Sequence, residues 1–447
     1  MIEFDLAVVG GGPAGLATVL AARARAPAWR IAWCRGPEPY FLPAYAGNSL
    51  AHRLNVPVER MGLDAEAPVD FHDWLQAEHP ERAVAPGQFL PRRWFGDYLA
   101  ARAAACGIEA FAGEVASLER AVERSGEREG WRLHLAGAAS AGSASARASR
   151  APPTPLHARR VALCLGLPAG LPMPQAPAHW VADPWAWWRA LGDAGALPLD
   201  HRDSVLLVGS GLTAVDMALG LRERGFRGRI RAVSPSGVWS HAHAPAAPLD
   251  ADAREQLDVA LDAANSAREV LGVIRGFCTR HPWRAVIDAL RADTNMRWSA
   301  LAPEEQRRLL RHAFCAWNRH RHRMAPDVLA TLDADAALSL EPGRILVDAT
   351  GRIVKRYRGC DTPFDAALAL DCRGPGFRAA LSGDSLLARL VRSGVLDAHP
   401  LGTGVRTPSD PTLAVIGAAR FGERFETNAV PELRQQAHEQ VRRWVCD

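Results

Sequence analysis

Lysine is nearly missing from this chain. Lys355 is the only one among 53 basic residues, so arginine carries almost all the positive charge. A strong charge imbalance is missing too. The net charge is +4 over 447 residues, and the basic residues are spread along the sequence. That excludes the dense basic field of a nucleic-acid binder. No unbroken apolar run approaches the roughly 20 residues of a membrane span, so no membrane partner is expected. The apolar stretch near the start is cut by Gly10, Gly11, Gly12 and Pro13 and preceded by Glu3 and Asp5. It is expected to be a fold element and not a secretion signal. The eight cysteines are scattered without a CxxC pair. This speaks against a zinc ribbon, an iron–sulfur site or a dithiol centre, and no metal is expected. Reduced thiols in the cytoplasm are the matching expectation.

What is present is a repeated signature. Phe4 to Val9 reads as a strand, followed by Gly10-x-Gly12-x-x-Gly15 and a long Ala/Leu/Arg segment with helical character. Arg30 to Cys34 reads as the next strand, completing a βαβ unit. In such a turn the first glycine permits the bend and the second admits a pyrophosphate to the backbone. The third lets helix and strand pack closely, and the helix N-terminus faces the phosphates. Pro13 and Ala14 lie inside this candidate site. A second copy follows in Ser204 to Val208, then Gly209-x-Gly211-x-x-Ala214, with Ser210, Leu212 and Thr213 in the turn and Arg229 to Ser234 as the next strand. Two such sites imply two dinucleotides, most simply a flavin that holds electrons and a nicotinamide that supplies them.

The residue closing the second strand of each unit sets ribose recognition. In the first unit that place holds Cys34 or Arg35, without the usual carboxylate. In the second it holds Ser234, with Arg229, Arg231 and Ser236 nearby and no acid before Asp250. Hydroxyls and arginines suit a 2′-phosphate, so NADPH is expected over NADH. Gly166, just past a strand expected over Arg160 to Leu165, joins the candidate cofactor residues.

Three further segments have polar or aromatic patterns. His241 and His243 form an H-x-H pair on an expected strand, without an evident third ligand, and read as a polar loop before a metal site. The run Trp317 to Arg323 reads equally as an anion clamp through Arg319, His320 and Arg323, or as the solvated basic end of a helix. Trp185, Trp187 and Trp188 read as core before cofactor stacking. Ala251 to Leu332 is expected to be helical, broken at Pro282, Pro303 and Pro326. Arg344 to Arg358 reads as a hairpin, Leu413 to Ile416 as a late strand, and a final helix begins near Asn428. Ala136 to Pro155, rich in Ala, Ser and Pro, is expected to be a loop.

Several of these stretches together resemble a known family. They are the GGGPAG start, HRLNVPVERM (52–61), DFHDWL (70–75), PRRWFGDYL (91–99), GSGLTAVDMAL (209–219), WNRHRHRMAP (317–326) and AVPELRQQA (429–437). They resemble the bacterial YdhS-type FAD/NAD(P)-binding proteins, distantly similar to class B flavin monooxygenases and amino-acid N-hydroxylases. The resemblance implies an α/β, two-dinucleotide-binding-domain flavoprotein. An FAD domain (1–178 and 336–447) is interrupted by an NADPH domain (179–250) carrying a helical insertion (251–335). It implies that Gly10, Gly12 and Gly15 hold FAD and that Gly209 and Gly211 hold NADPH. Asn55 and Val56 would lie near the flavin, and a segment from Gly417 through Glu426 and Thr427 would close over it. The chain departs from the pattern at Cys34 and at Arg373, where threonine is common. It departs again in AVIGAAR (414–420), which lacks the usual aspartate after its glycine. The activity implied is NADPH-dependent oxygenation of nitrogen or sulfur in a small polar metabolite, with molecular oxygen consumed. A flavin oxidoreductase that inserts no oxygen, and a non-catalytic nucleotide-binding module, are compatible with the same motifs. Nothing in the sequence specifies the oligomeric state.

Overall fold

The computed structural model describes residues 4–36, 44, 45, 47, 49–121, 129–136, 155–168, 170–192 and 196–446. Its contacts divide the chain into two units. Unit 1 comprises Met1–Asn48, Val56–Pro168 and Phe377–Asp447, and unit 2 comprises Ser49–Asn55 and Ala169–Gly376.

Unit 1 is organised on strands β1 (Phe4–Val9), β2 (Ile31–Cys34), β3 (Glu109–Phe111), β4 (Glu114–Ala121), β5 (Gly130–Ala136), β6 (Leu156–Leu163) and β15 (Leu413–Val415). The sheet order is β3-β2-β1-β6-β5-β4, with β15 also pairing β6. β6 divides its free edge between two neighbours. Leu156 to Ala158 pair antiparallel with β5, and Val161 to Leu163 pair parallel with β15. Leu6, Ala7 and Val8 of β1 are fully buried. That burial explains a continuous apolar run instead of an alternating one, since a central parallel strand is covered on both faces. Helix α1 (Pro13–Arg25) starts with proline in its first turn, where the missing N–H costs nothing. Helices α13 (Phe377–Ser382) and α14 (Leu386–Arg392) precede β15, and α15 (Val430–Cys446) lies along α1. Its buried Leu433, Ala437, Val441 and Trp444 recur at helical spacing and form one apolar face. Helices α2 (Asp70–Glu78) and α3 (Arg92–Ala105) are joined by Phe71, which meets Phe95 edge-on and Tyr98 at a tilt. Asp70 accepts from Tyr98 Oη at 2.5 Å and from Arg102 Nη2 at 2.7 Å, so this buried carboxylate is paired.

Unit 2 contains β7 (Trp180–Val181), α4 (Pro184–Ala190), β8 (Ser204–Val208), α5 (Leu212–Glu223) and β9 (Arg229–Ser234). A helical series follows: α6 (Ala251–Asp262), α7 (Ala267–Cys278), α8 (Trp283–Leu290), α9 (Thr294–Ala300), α10 (Pro303–His312), α11 (Phe314–Arg321) and α12 (Pro326–Ala334). Strands β10 (Leu338–Pro342), β11 (Arg344–Val347), β12 (Ile353–Tyr357), β13 (Cys360–Pro363) and β14 (Leu368–Asp371) close the unit. Its parallel sheet runs β10-β9-β8-β14-β7, beside a three-stranded antiparallel sheet β11-β12-β13.

The helical stretch is interrupted at each of the three prolines: Pro282 is the N-cap of α8, and Pro303 and Pro326 take the first helical position of α10 and α12. Non-proline breaks also occur, as at Ser266, whose hydroxyl caps α7 while Glu269 returns the bond. The segment around His241 and His243 is not a strand. It makes one isolated bridge, Ala242 to Met324. Trp188 is buried in unit 2 beside His52, with the Arg224 guanidinium over its ring, so this tryptophan is a core residue. The expected loop over Ala136 to Pro155 falls, between its two ends, outside the described residues.

Candidate functional site

The two glycine turns are built alike. Gly10 has φ +123°, and its amide donates to Cys34 O at 2.8 Å. Gly209 has φ +121°, and its amide donates to Val233 O at 2.8 Å. Each turn glycine leaves β1 or β8 in a conformation that L side chains rarely adopt. A Cβ on Gly10 would stand 2.1 Å from Cys164 O, and one on Gly209 would stand 2.7 Å from Cys372 O. The third positions pack tightly as well. A Cβ on Gly15 would meet Gly10 O at 2.0 Å, while Ala214 is fully buried.

The middle glycines differ from their neighbours. Gly12 caps α1 with φ −76° and ψ −178°, and Gly211 caps α5 with φ −77° and ψ 179°. These angles suit any residue. A Cβ added to either would find no described atom within 4 Å, and no side chain caps either helix. Packing within the protein therefore does not demand glycine there. The open space lies at a helix N-terminus, where amides and the helix dipole attract an anion. This arrangement fits a dinucleotide pyrophosphate at each turn.

The surroundings of the first turn lie within unit 1. Pro13 and Ala14 begin α1, and a Cβ on Gly417 would lie 3.7 Å from Ala14 Cβ, so the chain after β15 returns to the mouth of the turn. Gly417 has φ +89°. Its amide donates to Gln436 Oε1 at 3.2 Å and its carbonyl accepts from Thr427 Oγ1 at 2.9 Å. Thr427 and Glu426 are both buried. Thr427 thus holds the returning segment in place. Cys34 packs in the apolar core of the sheet, and burial pushes its thiol up to about 12, so it stays protonated. Its carbonyl, not its side chain, meets the glycine turn. Arg35, half-buried, follows it. Gly166, with φ +73°, lies three residues past the end of β6. Val56 belongs to unit 1, whereas Asn55 belongs to unit 2 and accepts at its carbonyl from His243 Nε2 at 3.0 Å.

The second turn lies within unit 2. Ser210 Oγ donates to Val238 O at 2.9 Å, fastening the turn to the loop after β9, and Leu212 and Thr213 begin α5. Ser234 is buried, and its hydroxyl accepts from the Gly237 amide at 3.1 Å. Arg229 stands at the opposite end of β9, about 17 Å along the strand from Ser234. Arg231 is mid-strand, paired to Glu341 at 3.0 Å and stacked over Phe364. Sequence reading did not find Glu341. β10 lies parallel to β9 with Glu341 opposite Val233, which brings a carboxylate beside the strand end. Burial alone would raise the Glu341 carboxyl. Hydrogen bonds from Arg231 and Lys355 outweigh that and hold it below the usual carboxylate range.

Arg373 has a structural explanation. Its guanidinium pairs with the buried Asp371 through Nε at 2.8 Å and Nη2 at 2.5 Å, and reaches Leu171 O at 3.2 Å. It closes the end of β14 beside Gly209. Arg373→Ala would leave the buried Asp371 carboxylate without its guanidinium, keeping the residue 373 amide as a donor. A stability loss of about 2 kcal/mol is expected, read as an earlier denaturant midpoint.

Arg319 and His320 lie in the last turn of α11, and Arg323 just beyond it is buried and paired with Asp288. His241 and His320 stand with ring centroids 4.6 Å apart. Among the described residues no group of three or more His, Cys, Asp or Glu is placed to hold a metal ion. No helix of the described residues is long and apolar enough to cross a membrane.

A family model described as FAD-NAD(P)-binding matches residues 7–168. No protein among the curated ones matches the chain. Solved structures do. The ornithine N-hydroxylase of Kutzneria sp. 744, with reduced FAD, NADP+ and L-ornithine, is 14% identical with a TM-score of 0.63, covering 99% of this chain and 98% of its own. The FAD-bound cadaverine monooxygenase of Erwinia amylovora desferrioxamine biosynthesis is 11% identical with a TM-score of 0.65, covering 100% of this chain and 94% of its own. The bacillithiol disulfide reductase of Staphylococcus aureus is 10% identical with a TM-score of 0.53, covering 100% and 99%. The chain has the α/β fold of these proteins, the fold of a flavoprotein with two dinucleotide-binding domains.

Proposed function

We propose that the chain is an FAD- and NADPH-dependent monooxygenase that oxidises nitrogen or sulfur in a small polar metabolite, with molecular oxygen as co-substrate. The observation that carries this reading is the pair of uncapped helix N-termini, each fronted by a glycine with open space beside it, at Gly12 and Gly211. Gly10, Gly12, Pro13, Ala14 and Gly15 hold the FAD pyrophosphate, with Arg35 beside the ribose and Gly417 at the mouth of the turn. Gly209, Ser210, Gly211, Leu212 and Thr213 hold the nicotinamide dinucleotide. NADPH is favoured because Ser234 ends β9 and Ser236 follows it where a ribose-binding acid would stand, and Glu341 is engaged by Arg231 and Lys355. The Kutzneria relative was solved with NADP+.

A flavin held at the first turn would supply the redox chemistry between the nicotinamide and oxygen. The protein's own task is to place the cofactors and exclude water. No side chain is needed as nucleophile. Buried thiols do not supply one, since Cys34, Cys164 and Cys372 are all pushed upward by burial and stay protonated. We also propose membership of the YdhS-type proteins, residence in the cytoplasm, and a role for residues 251–335 in shaping specificity. Arg319, His320 and Arg323 are the proposed contacts to a substrate anion.

Two measurements test the function. The purified protein with added FAD, kept free of oxygen, is expected to lose its flavin absorbance on addition of NADPH, and more efficiently than with NADH. Turnover under labelled oxygen gas, over a panel of diamines, amino acids and thioethers, is then expected to give a product heavier by one labelled atom. A product of unchanged mass from a flavin that NADPH does reduce would leave an oxidoreductase without oxygen insertion. Nucleotide binding without any redox change would leave a binding module.

A further inference from the structure

We propose that His241, Arg284 and His320, gathered around the Trp283 ring, together with Arg319, whose charge acts on His241, form a binding site for the oxyanion group, carboxylate or phosphate, of a small-molecule ligand. The site lies wholly within unit 2. Calling its ligand the substrate rests on the monooxygenase reading; the anion site itself does not.

Three separate segments build it. The first is the loop at His241, held by backbone bonds from His241 N to Arg319 O at 3.1 Å and from Met324 N to His241 O at 2.9 Å. The second is the start of α8, which supplies Trp283 and Arg284. The third is the last turn of α11, which supplies Arg319 and His320. The three rings touch one another. His241 lies 4.9 Å from Trp283 and 4.6 Å from His320, and Trp283 lies 4.9 Å from His320. The Arg284 guanidinium sits 4.3 Å from the centre of the Trp283 ring and donates to Ala242 O at 2.9 Å.

The electrostatics are unfavourable without a ligand. A basic residue at the end of α11 is explained by the helix dipole, so Arg319 and His320 alone would mean little. Arg284 is different. It lies in the first turn of α8, where the dipole repels a cation, and α8 has no side-chain cap. Burial and the nearby Arg323 both push its guanidinium downward from its ordinary value, against the pull of Asp288. His241 is lowered to about 4, by burial first and then by His320, Arg319, Arg284 and Arg323. His243, beside it on the loop, is lowered by burial and faces Arg323, Asp288 and Arg321. Asp288 is spoken for by Arg323. The Nε atoms of Arg284 and Arg319 are buried with no hydrogen-bond partner among the described residues. Like charges packed this closely, with guanidinium donors unspent, are the arrangement an incoming oxyanion would satisfy.

The test uses the full chain with histidine ring carbons labelled for NMR. Inorganic phosphate, acetate and chloride are titrated separately at constant ionic strength. The His241 and His320 signals, assigned by His241→Asn and His320→Asn, are expected to shift and saturate with phosphate or acetate. The proton affinity of His241 is expected to rise about tenfold as the anion replaces repulsion with attraction. Arg319→Gln and Arg284→Gln are each expected to weaken the response at least about tenfold, while Arg311→Gln, on the exposed end of α10, leaves it unchanged. A stronger response to acetate identifies a carboxylate ligand, and a stronger response to phosphate a phosphoryl ligand. An equal response to chloride, or full retention in both arginine variants, overturns the site. The readout needs no flavin. A failed flavin reduction beside an intact histidine response would overturn the monooxygenase reading alone.

Discussion

Gly12→Asp is expected to yield a protein at least as stable as the parent that no longer retains FAD. Gly12 already has the extended backbone of a helix N-cap, and an added side chain meets no described atom within 4 Å. Aspartate is among the best N-cap residues, and its carboxylate can accept from amides of the first turn of α1. Over glycine that contributes roughly a few tenths of a kcal/mol. The same carboxylate occupies the ground proposed for the pyrophosphate and repels it. Flavin affinity is expected to fall at least about 100-fold, from the lost amide contacts and the like charge together. Gly211→Asp repeats the experiment at α5, where the backbone angles are nearly the same. There the flavin should stay bound and its reduction by NADPH should fail. Flavin retention and thermal midpoint, measured on both variants, check the pair. A Gly12→Asp protein that still binds FAD with parental affinity would remove the first turn from the cofactor site.

Gly10→Ala is expected to do the reverse and damage the fold itself. Gly10 is held at φ +123°, and its new methyl would lie 2.1 Å from the carbonyl oxygen of Cys164. Backbone strain of about 1–3 kcal/mol adds to overpacking of about 1–3 kcal/mol, giving an expected loss near 4 kcal/mol. That is a large share of the stability of an ordinary domain. FAD should be lost here too, but with an early denaturant midpoint. The two substitutions, two residues apart in one motif, thus separate glycine demanded by packing from glycine left open to a ligand. A Gly10→Ala protein with parental stability would mean that the backbone yields freely at Cys164, contrary to the burial of that residue just past β6.

The glycine turns were legible in the sequence because everything that makes them is local. A buried parallel strand reads as an apolar run, and the glycines follow at fixed offsets. The hairpin β11–β12 was legible for the same reason. Features that depend on distant pairing were not. Glu341 reaches the end of β9 only because β10, over a hundred residues later, lies parallel to it. The sequence around Ser234 contains no hint of that carboxylate. Arg229 and Arg231 looked like neighbours of a 2′-phosphate because they are near Ser234 in sequence. A strand separates residues by about 3.3 Å each, and it put one at the far end and tied the other to Glu341. Residues 49–55 carry no compositional mark of belonging to unit 2. Their assignment depends on tertiary bonds, such as those from the Leu50 and Ala51 amides to Glu223. The cluster around Trp283 was half visible. The basic run after Trp317 stood out, but the loop and the helix start that complete it lie 78 and 35 residues earlier, counting from Arg319 to His241 and Arg284.

The single lysine gives this molecule a property that an ordinary protein of its size lacks. Lys355 Nζ is bound to Glu341 Oε2 at 2.6 Å, so it joins the antiparallel sheet at β12 to the parallel sheet at β10. An amine-selective reagent therefore has one side chain to find, and it must wait for that link to break. The rate at which such a reagent marks Lys355 reports how often that ion pair opens, readable without introducing any foreign label into the sequence.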